Sequence, residues 1–170
     1  IEERRFYQLD PLIEWLHKTI DTVRFSRKNL SLVHGDFHPY NILVKNKEPF
    51  VIDWHGIRIR DNRTDLGQTS LLLTIYGSPD LRNAIVDTYV KYGGKAVDLH
   101  FFEVLAIMIR FFEFFETIYP DDNNEILPDR VQAFSTDFET MTKCYLMLNE
   151  LTKQEFPQLK PSEFLDKKDK

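Results

Sequence analysis

Glycine is scarce in this chain: six in 170 residues, the first at Gly35. A glycine-rich loop that wraps phosphate with bare backbone is therefore excluded from the first 34 positions. Cysteine occurs once, at Cys144, so no internal disulfide can form. That fits a reducing, cytoplasmic setting, and the helix-like surroundings of Cys144 fit a buried apolar role better than a nucleophile. Positive charge is in deficit, with 22 Lys and Arg against 27 Asp and Glu. Nucleic acid, which wants clustered cations, is a poor partner for such a chain. No apolar run is long enough for a membrane span. The most aromatic segment, 98–119, is interrupted by Glu103, Arg110, Glu113 and Glu116, where a span needs about 20 mostly apolar residues. Those charges step by seven, three and three, which predicts one polar stripe on an otherwise buried helix. No signal peptide and no internal repeat are visible. The first residue is Ile1, not Met, which reads as a processing or cloning boundary.

What is present suits one domain with a sizeable core, being 42% hydrophobic. Asp10-Pro11 opens a helix, with Asp10 as cap, through Leu12, Ile13, Leu16, Ile20 and Val23. Phe25 to Asn29 is a polar connection. Asp65 is placed to cap a helix over 66–76, Ser78-Pro79 opens another, and Gly93-Gly94 ends it. A phenylalanine-rich helix follows over 98–119, stopped by Pro120. Pro128-Asp129 opens a last long helix through Val131, Phe134, Phe138, Met141, Tyr145 and Leu148. The pattern breaks at Gln154, and the end of the chain reads as a partly ordered tail.

The informative stretch is 32–54. It reads L-V-H-G-D-F-H-P-Y-N-I-L-V, then a polar turn, then P-F-V-I-D-W. Leu30 to Val33 is a short strand leading into the loop, and Gly35 stands where the backbone needs unusual φ values. Ile42 to Val44 and Phe50 to Ile52 flank a polar connection, Lys45 to Glu48, long enough for a hairpin, with Pro49 at a strand edge. Such a hairpin sets Asn41 at the start of one strand and Asp53 at the end of the other, so both oxygens can reach one cation. Asp36, Asn41 and Asp53 together are what phosphoryl transfer asks of a protein: a carboxylate for the attacking hydroxyl, and an amide and a carboxylate for magnesium on the nucleotide.

His34, Asp36 and Asn41 stand at the spacing of the protein-kinase pattern H-R-D-L-x-x-x-N, which D-F-G follows. H-G-D-x-x-x-x-N followed by I-D-W resembles the aminoglycoside phosphotransferase and choline kinase group of kinase-like enzymes. Asp61-Asn62-Arg63-Thr64-Asp65-Leu66-Gly67 extends the likeness, with Asn62 in place of Pro and Gly67 in place of Ala; Tyr40 replaces a commoner Gly. The motifs cover about 30–67, and the later helices follow by order alone. The resemblance implies the helical C-terminal lobe of a protein-kinase-like fold, mainly α with a small β-hairpin. Residues 1–155 form that catalytic lobe and 156–170 the tail. It implies an ATP- and magnesium-dependent phosphotransferase acting on a hydroxyl of a small molecule. Asp36 would be catalytic, Asn41 and Asp53 would bind metal and nucleotide, and His34 and Asp65 would support the loop. The later helices would form the substrate side of the cleft.

Other readings accompany this one. His34, Asp36, His38, Asp53 and His55 are also ligand types for a metallohydrolase. A kinase-like lobe can equally serve as a non-catalytic binding module. Asp, Asn and Gly are ordinary in turns. Segment 54–60 reads as a basic loop, where Arg58, Arg60 and Arg63 either touch phosphates or form salt bridges. The loop Asp121 to Glu125 either attracts a cationic substrate or is simply a solvated connection. Nothing selects the substrate among sugars, amino alcohols and antibiotics.

Kinase-like enzymes place a sheet lobe with a glycine-rich cover and a strand Lys before the catalytic loop. About 30 residues are too few for five strands of 5–6 residues plus a helix. The chain therefore reads as a C-terminal lobe without its N-terminal partner lobe, whose apolar docking surface would invite self-association. By itself it is expected to bind MgATP weakly. Single-turnover assays of the chain alone should give phosphate transfer far below the roughly 1–100 per second of ordinary kinases.

Overall fold

A computed structural model describes residues 6–119 and 128–165. Among them are six α-helices and four short strands, so the protein is mainly α with a small β part. The acidic loop at 121–125, Pro120 and the last five residues of the expected tail lie outside the described residues. The chain divides into two compact units. One is Ile1–Asp21 with Ile107–Lys170, and the other is Thr22–Ala106.

The first unit contains α1 (Asp10–Ile20), most of the long helix α4 (Leu99–Ile118), α5 (Pro128–Thr152) and the short α6 (Ser162–Leu165). Its core is aromatic. Phe6, Phe111, Phe115 and Tyr119 are buried, and the Phe6 ring packs 5.6 Å from that of Phe115. Leu12 and Leu16 of α1 and Met141, Cys144 and Leu148 of α5 complete it. Ile13 and Ile20, expected on the same face as Leu12, are exposed. Asp10 is the first helical residue, not the cap; Leu9 holds the cap position without a side-chain bond. Burial pushes the Cys144 thiol up to about 12, so it stays protonated as a small apolar filler. In the segment after α5, Phe156 and Leu159 are fully buried around a 3-10 turn, Pro157–Leu159.

The second unit carries the strands: β1 (Leu30–Val33), β2 (Ile42–Lys45), β3 (Glu48–Val51) and β4 (Arg58–Asp61). β2 and β3 form the expected hairpin, paired Ile42 to Val51 and Lys45 to Glu48. Its connection is tighter than the sequence suggests. Only Asn46 and Lys47 lie outside the ladder, at φ 53° and 67°, as a two-residue turn whose twist matches the strands requires. β4 corrects the expectation of a basic loop over 54–60. Arg58 to Asp61 pairs antiparallel with β1, Leu32 opposite Ile59. The alternation Ile57, Arg58, Ile59, Arg60 is the period-2 signal of a ribbon.

Behind the strands stand α2 (Arg63–Tyr76) and α3 (Pro79–Lys91), the latter capped as expected by the Ser78 side chain on the Leu81 N–H. α2 starts three residues earlier than expected, and Asp65 sits in its first turn without capping it. Gly67 of α2 crosses α4 closely. A Cβ there would meet the Phe102 carbonyl carbon at 2.8 Å, so no alanine fits without a shift.

Two buried charged residues, Arg63 and Glu103, depart from surface expectations. Arg63 is 1% exposed. Its guanidinium forks onto both Asp61 oxygens at 2.8 Å, donates to the carbonyls of Val97 and Arg24, and lies 4.4 Å from the centre of the Phe102 ring. Glu103 is fully buried, not part of a solvent stripe with Arg110 and Glu113. It accepts from Ser70 of α2 at 2.7 Å and from Arg82 of α3 at 2.8 and 2.9 Å. Removing one partner from such a site is costly, because it leaves a buried charge uncompensated.

The Arg63–Asp61 pair has a pH signature. Burial pushes the Asp61 carboxyl up, but hydrogen bonds and charge from Arg63 outweigh it, so the net shift is below the ordinary 3.8. A depressed carboxylate stabilises the fold above its unfolded pKa and stops doing so as pH falls through its folded value. Urea unfolding followed between pH 5 and 2 should show stability falling below about pH 3.8. In Arg63→Met that share of the slope should vanish, and stability near pH 7 should drop by about 3–5 kcal/mol, as for any buried pair with one partner removed.

Candidate active site

The loop between β1 and β2 begins with His34, which is 2% exposed. Its ring packs 4.7 Å from Trp54 and 6.1 Å from Phe37. The Asp36 N–H donates to His34 Nδ1 at 3.3 Å, which leaves Nε2 as the donor to the Ile52 carbonyl at 2.8 Å. Both ring nitrogens are thus engaged with backbone.

Below the loop stands Asp65. Its Oδ2 accepts the His34 N–H at 2.6 Å and its Oδ1 accepts the Gly35 N–H at 2.9 Å. One helical turn on, Thr69 Oγ1 lies 2.7 Å from the Phe37 carbonyl, and Gln68 Nε2 donates to Asp36 Oδ1 at 2.9 Å. The loop is therefore held by three side chains of the first turns of α2. Gly35 is required twice over. Its φ is +84°, and a Cβ would lie 2.5 Å from the Gly56 carbonyl oxygen.

Asp36 is left with its side chain about one-third exposed. Its Oδ2 lies 3.3 Å from His38 Nε2 and 3.4 Å from Asn41 Nδ2. Asn41 is 8% exposed. Its amide nitrogen is turned inward, 2.9 Å from the Asp36 carbonyl and 3.2 Å from His38 Nε2. The acceptor oxygen is the atom of that amide suited to a cation. The Asn41 carbonyl accepts the Ile52 N–H at 2.9 Å, so Asn41 faces the residue before Asp53 across the start of the hairpin.

Asp53 turns out of the hairpin at φ 64° and ψ 52°, a left-handed conformation that Asp tolerates better than most residues. Its side chain is 52% exposed, and Oδ1 pairs with His55 Nδ1 at 2.7 Å. That hydrogen bond, then the charge of Asp53 and more distantly of Asp36, raises the His55 pKa above 6.5.

The five residues singled out from the sequence thus lie together in one unit. Asp36, Asn41 and Asp53 surround the loop and hairpin base, and His34 and Asp65 lie underneath. Gln68, Thr69 and Gly56 were missed. Gln68 and Thr69 follow Asp65 by three and four positions, so helical spacing alone puts them on its face. Gly56 has no local signal, because its partner Gly35 is distant in sequence. Among the described residues no three His, Cys, Asp or Glu side chains gather into a metal-binding group. His34 spends both nitrogens on the backbone, which removes it from a metallohydrolase ligand set. No helix among the described residues is long and apolar enough to cross a membrane.

A family model, that of the phosphotransferase enzyme family, matches residues 2–100. The match spans more than half of the chain and every residue of this site, and the protein belongs to that family. No curated protein and no solved structure matches the chain.

The anchoring geometry makes its own prediction. In Asp65→Asn one backbone N–H faces an amide NH2 in place of an acceptor. An unsatisfied buried donor costs about 1–3 kcal/mol, so chemical denaturation should show a loss in that range. Amide exchange at His34 and Gly35 should quicken, and unchanged exchange there would contradict the anchoring role.

Proposed function

We propose that the chain is the catalytic and substrate-side lobe of an ATP-dependent phosphotransferase that acts on a hydroxyl group of a small molecule. The observation that carries this reading is the gathering of Asp36, Asn41 and Asp53 around one loop and hairpin whose position is set from below by Asp65. Family membership supplies the reaction class, and the side chains supply the roles.

Asp36 orients the acceptor hydroxyl and takes its proton as that oxygen bonds to the nucleotide's terminal phosphorus, whose bond to the bridging oxygen breaks so that the nucleoside diphosphate leaves. Gln68 and His38 fix the carboxylate so that one orientation is presented. The Asn41 oxygen and the Asp53 carboxylate fit magnesium by donor type, both being hard oxygen ligands, with Asp53 open to solvent and the Asn41 nitrogen turned away. When bound, magnesium neutralises charge on the nucleotide phosphates. His34 does no acid–base work and holds loop to hairpin. No glycine precedes Gly35, so residues 1–34 supply no glycine-rich cover over the phosphates.

The test is a manganese soak of crystals, read by anomalous scattering, since manganese takes oxygen ligands as magnesium does. Manganese between Asn41 and Asp53 is expected, and Asp53→Ala should abolish it. Metal on His34, His38 or His55 would overturn the assignment. With the nucleotide lobe present, Asp36→Asn should lose about 10²–10⁴ in turnover while manganese binding persists. An undiminished rate in that variant would remove Asp36 as the base. A protein that phosphorylates no hydroxyl compound in a broad panel would instead be a binding module.

A further inference from the structure

A cavity of about 660 Å³ opens in the second unit beside Phe37, the residue after Asp36. None of Asp36, Asn41 or Asp53 lines it. Its walls are β1, the first turns of α2 and the C-terminal half of α3. The volume is that of a small-molecule site, where about 300–1,000 Å³ is usual.

The lining chemistry is specific in what it lacks. Leu32, Phe37, Leu66 and Ile85 supply apolar surface. The one charged residue among those that line it is Asp65, and both its oxygens are taken by the N–H groups of His34 and Gly35. The remaining polar points include the hydroxyls of Thr88 and Tyr89, which both donate and accept. Burial, then the charge of Asp61, pushes the Tyr89 phenol above its ordinary 10, so it stays an O–H donor.

The Tyr89 wall is held in place. Gly93 turns the chain at φ +92°, and its N–H and that of Gly94 bond back to the Val90 and Tyr89 carbonyls at 3.0 and 2.9 Å. Gly94 then lies flat against the Tyr89 ring, where a Cβ would meet ring carbon at 2.3 Å. The opposite wall is the underside of the catalytic loop. Phe37 follows Asp36, and Thr69 holds the Phe37 carbonyl.

We infer that this cavity is a binding site for a neutral, largely apolar small molecule with a hydroxyl or amide group, and that its occupant is felt by the loop that carries Asp36. An anion would meet no cation in the lining and would face the Asp65 carboxylate, while a cation would have to compete for Asp65 with the His34 and Gly35 N–H groups, so a charge of either sign leaves water poorly compensated. Contact with Phe37, Leu66 and Asp65 links occupancy to the groups that hold the loop. The inference does not depend on the phosphotransfer reading, since it concerns binding alone.

The probe is 4-phenylphenol, a neutral biaryl with one hydroxyl, titrated into isotope-labelled protein and followed by amide chemical shifts. Saturable shifts are expected at Thr69, Thr88 and Tyr89, accompanied by shifts at Gly35 or Asp36. The charged counterparts 4-phenylbenzoate and 4-phenylbenzylammonium should bind at least fivefold more weakly. Ile85→Trp, on a helix with no buried residue, fills the cavity and should weaken the phenol at least tenfold with the melting temperature kept. Gly94→Val displaces the Tyr89 wall and should do the same by another route. Non-saturable shifts, binding elsewhere, or unchanged affinity in both variants would overturn the site. Equal affinity for the charged analogues would overturn the ligand class, and still amides at Gly35 and Asp36 would overturn the link to the loop.

Discussion

One carboxylate accepting two consecutive backbone N–H groups organises the site. Asp65 accepts hydrogen bonds from the N–H groups of His34 and Gly35, and charge-assisted bonds of this kind are stronger than neutral ones. Everything above it inherits its position. The turn at Gly35 aims Asp36 outward, and the Asp36 N–H returns to His34. His34 in turn reaches the Ile52 carbonyl one residue before Asp53. A helix, a loop and a hairpin are thus tied in series.

The arrangement concentrates unusual backbone where reactivity is proposed. Gly35 and Asp53 occupy left-handed conformations within one unit, and Gly35 and Gly56 approach so closely that no side chain fits between them. Left-handed residues are costly without support. Here the support comes from buried elements: Arg63 with Asp61 at the start of α2, and Glu103 with Ser70 and Arg82 where α2, α3 and α4 meet. These ion pairs have little to do with reaction chemistry. They fix the helix that presents Asp65, Gln68 and Thr69 in a row, so stability and site geometry rest on the same residues.

Much of this was legible in residue order. The hairpin from 42 to 51, the Ser78 cap, the Gly93 turn and the long helices follow local rules of periodicity and capping, and those rules need no distant partner. The motif residues were legible for a similar reason. Asp36 and Asn41 lie in one short loop, and Asp53 is brought back by a hairpin whose length is local. Where the reading failed, the cause was long-range. Arg63 looks like a surface cation until Asp61 and the Val97 carbonyl enclose it. Glu103 looks like part of a polar stripe until Ser70 and Arg82 cover it. Asp65 looks like a helix cap until the loop 30 residues earlier claims both its oxygens.

The order of residues by itself determined most of the element types, the family and the candidates for the reactive groups, because each depends on spacing along a chain or on side-chain chemistry alone. Only the tertiary structure decided which polar groups are buried and paired, that β4 lies beside β1, that Gly67 has no room for a methyl, and that a cavity lies under the loop. Those are matters of what approaches from elsewhere in the chain, and buried partners, unlike periodicity, leave no mark on the neighbours in sequence.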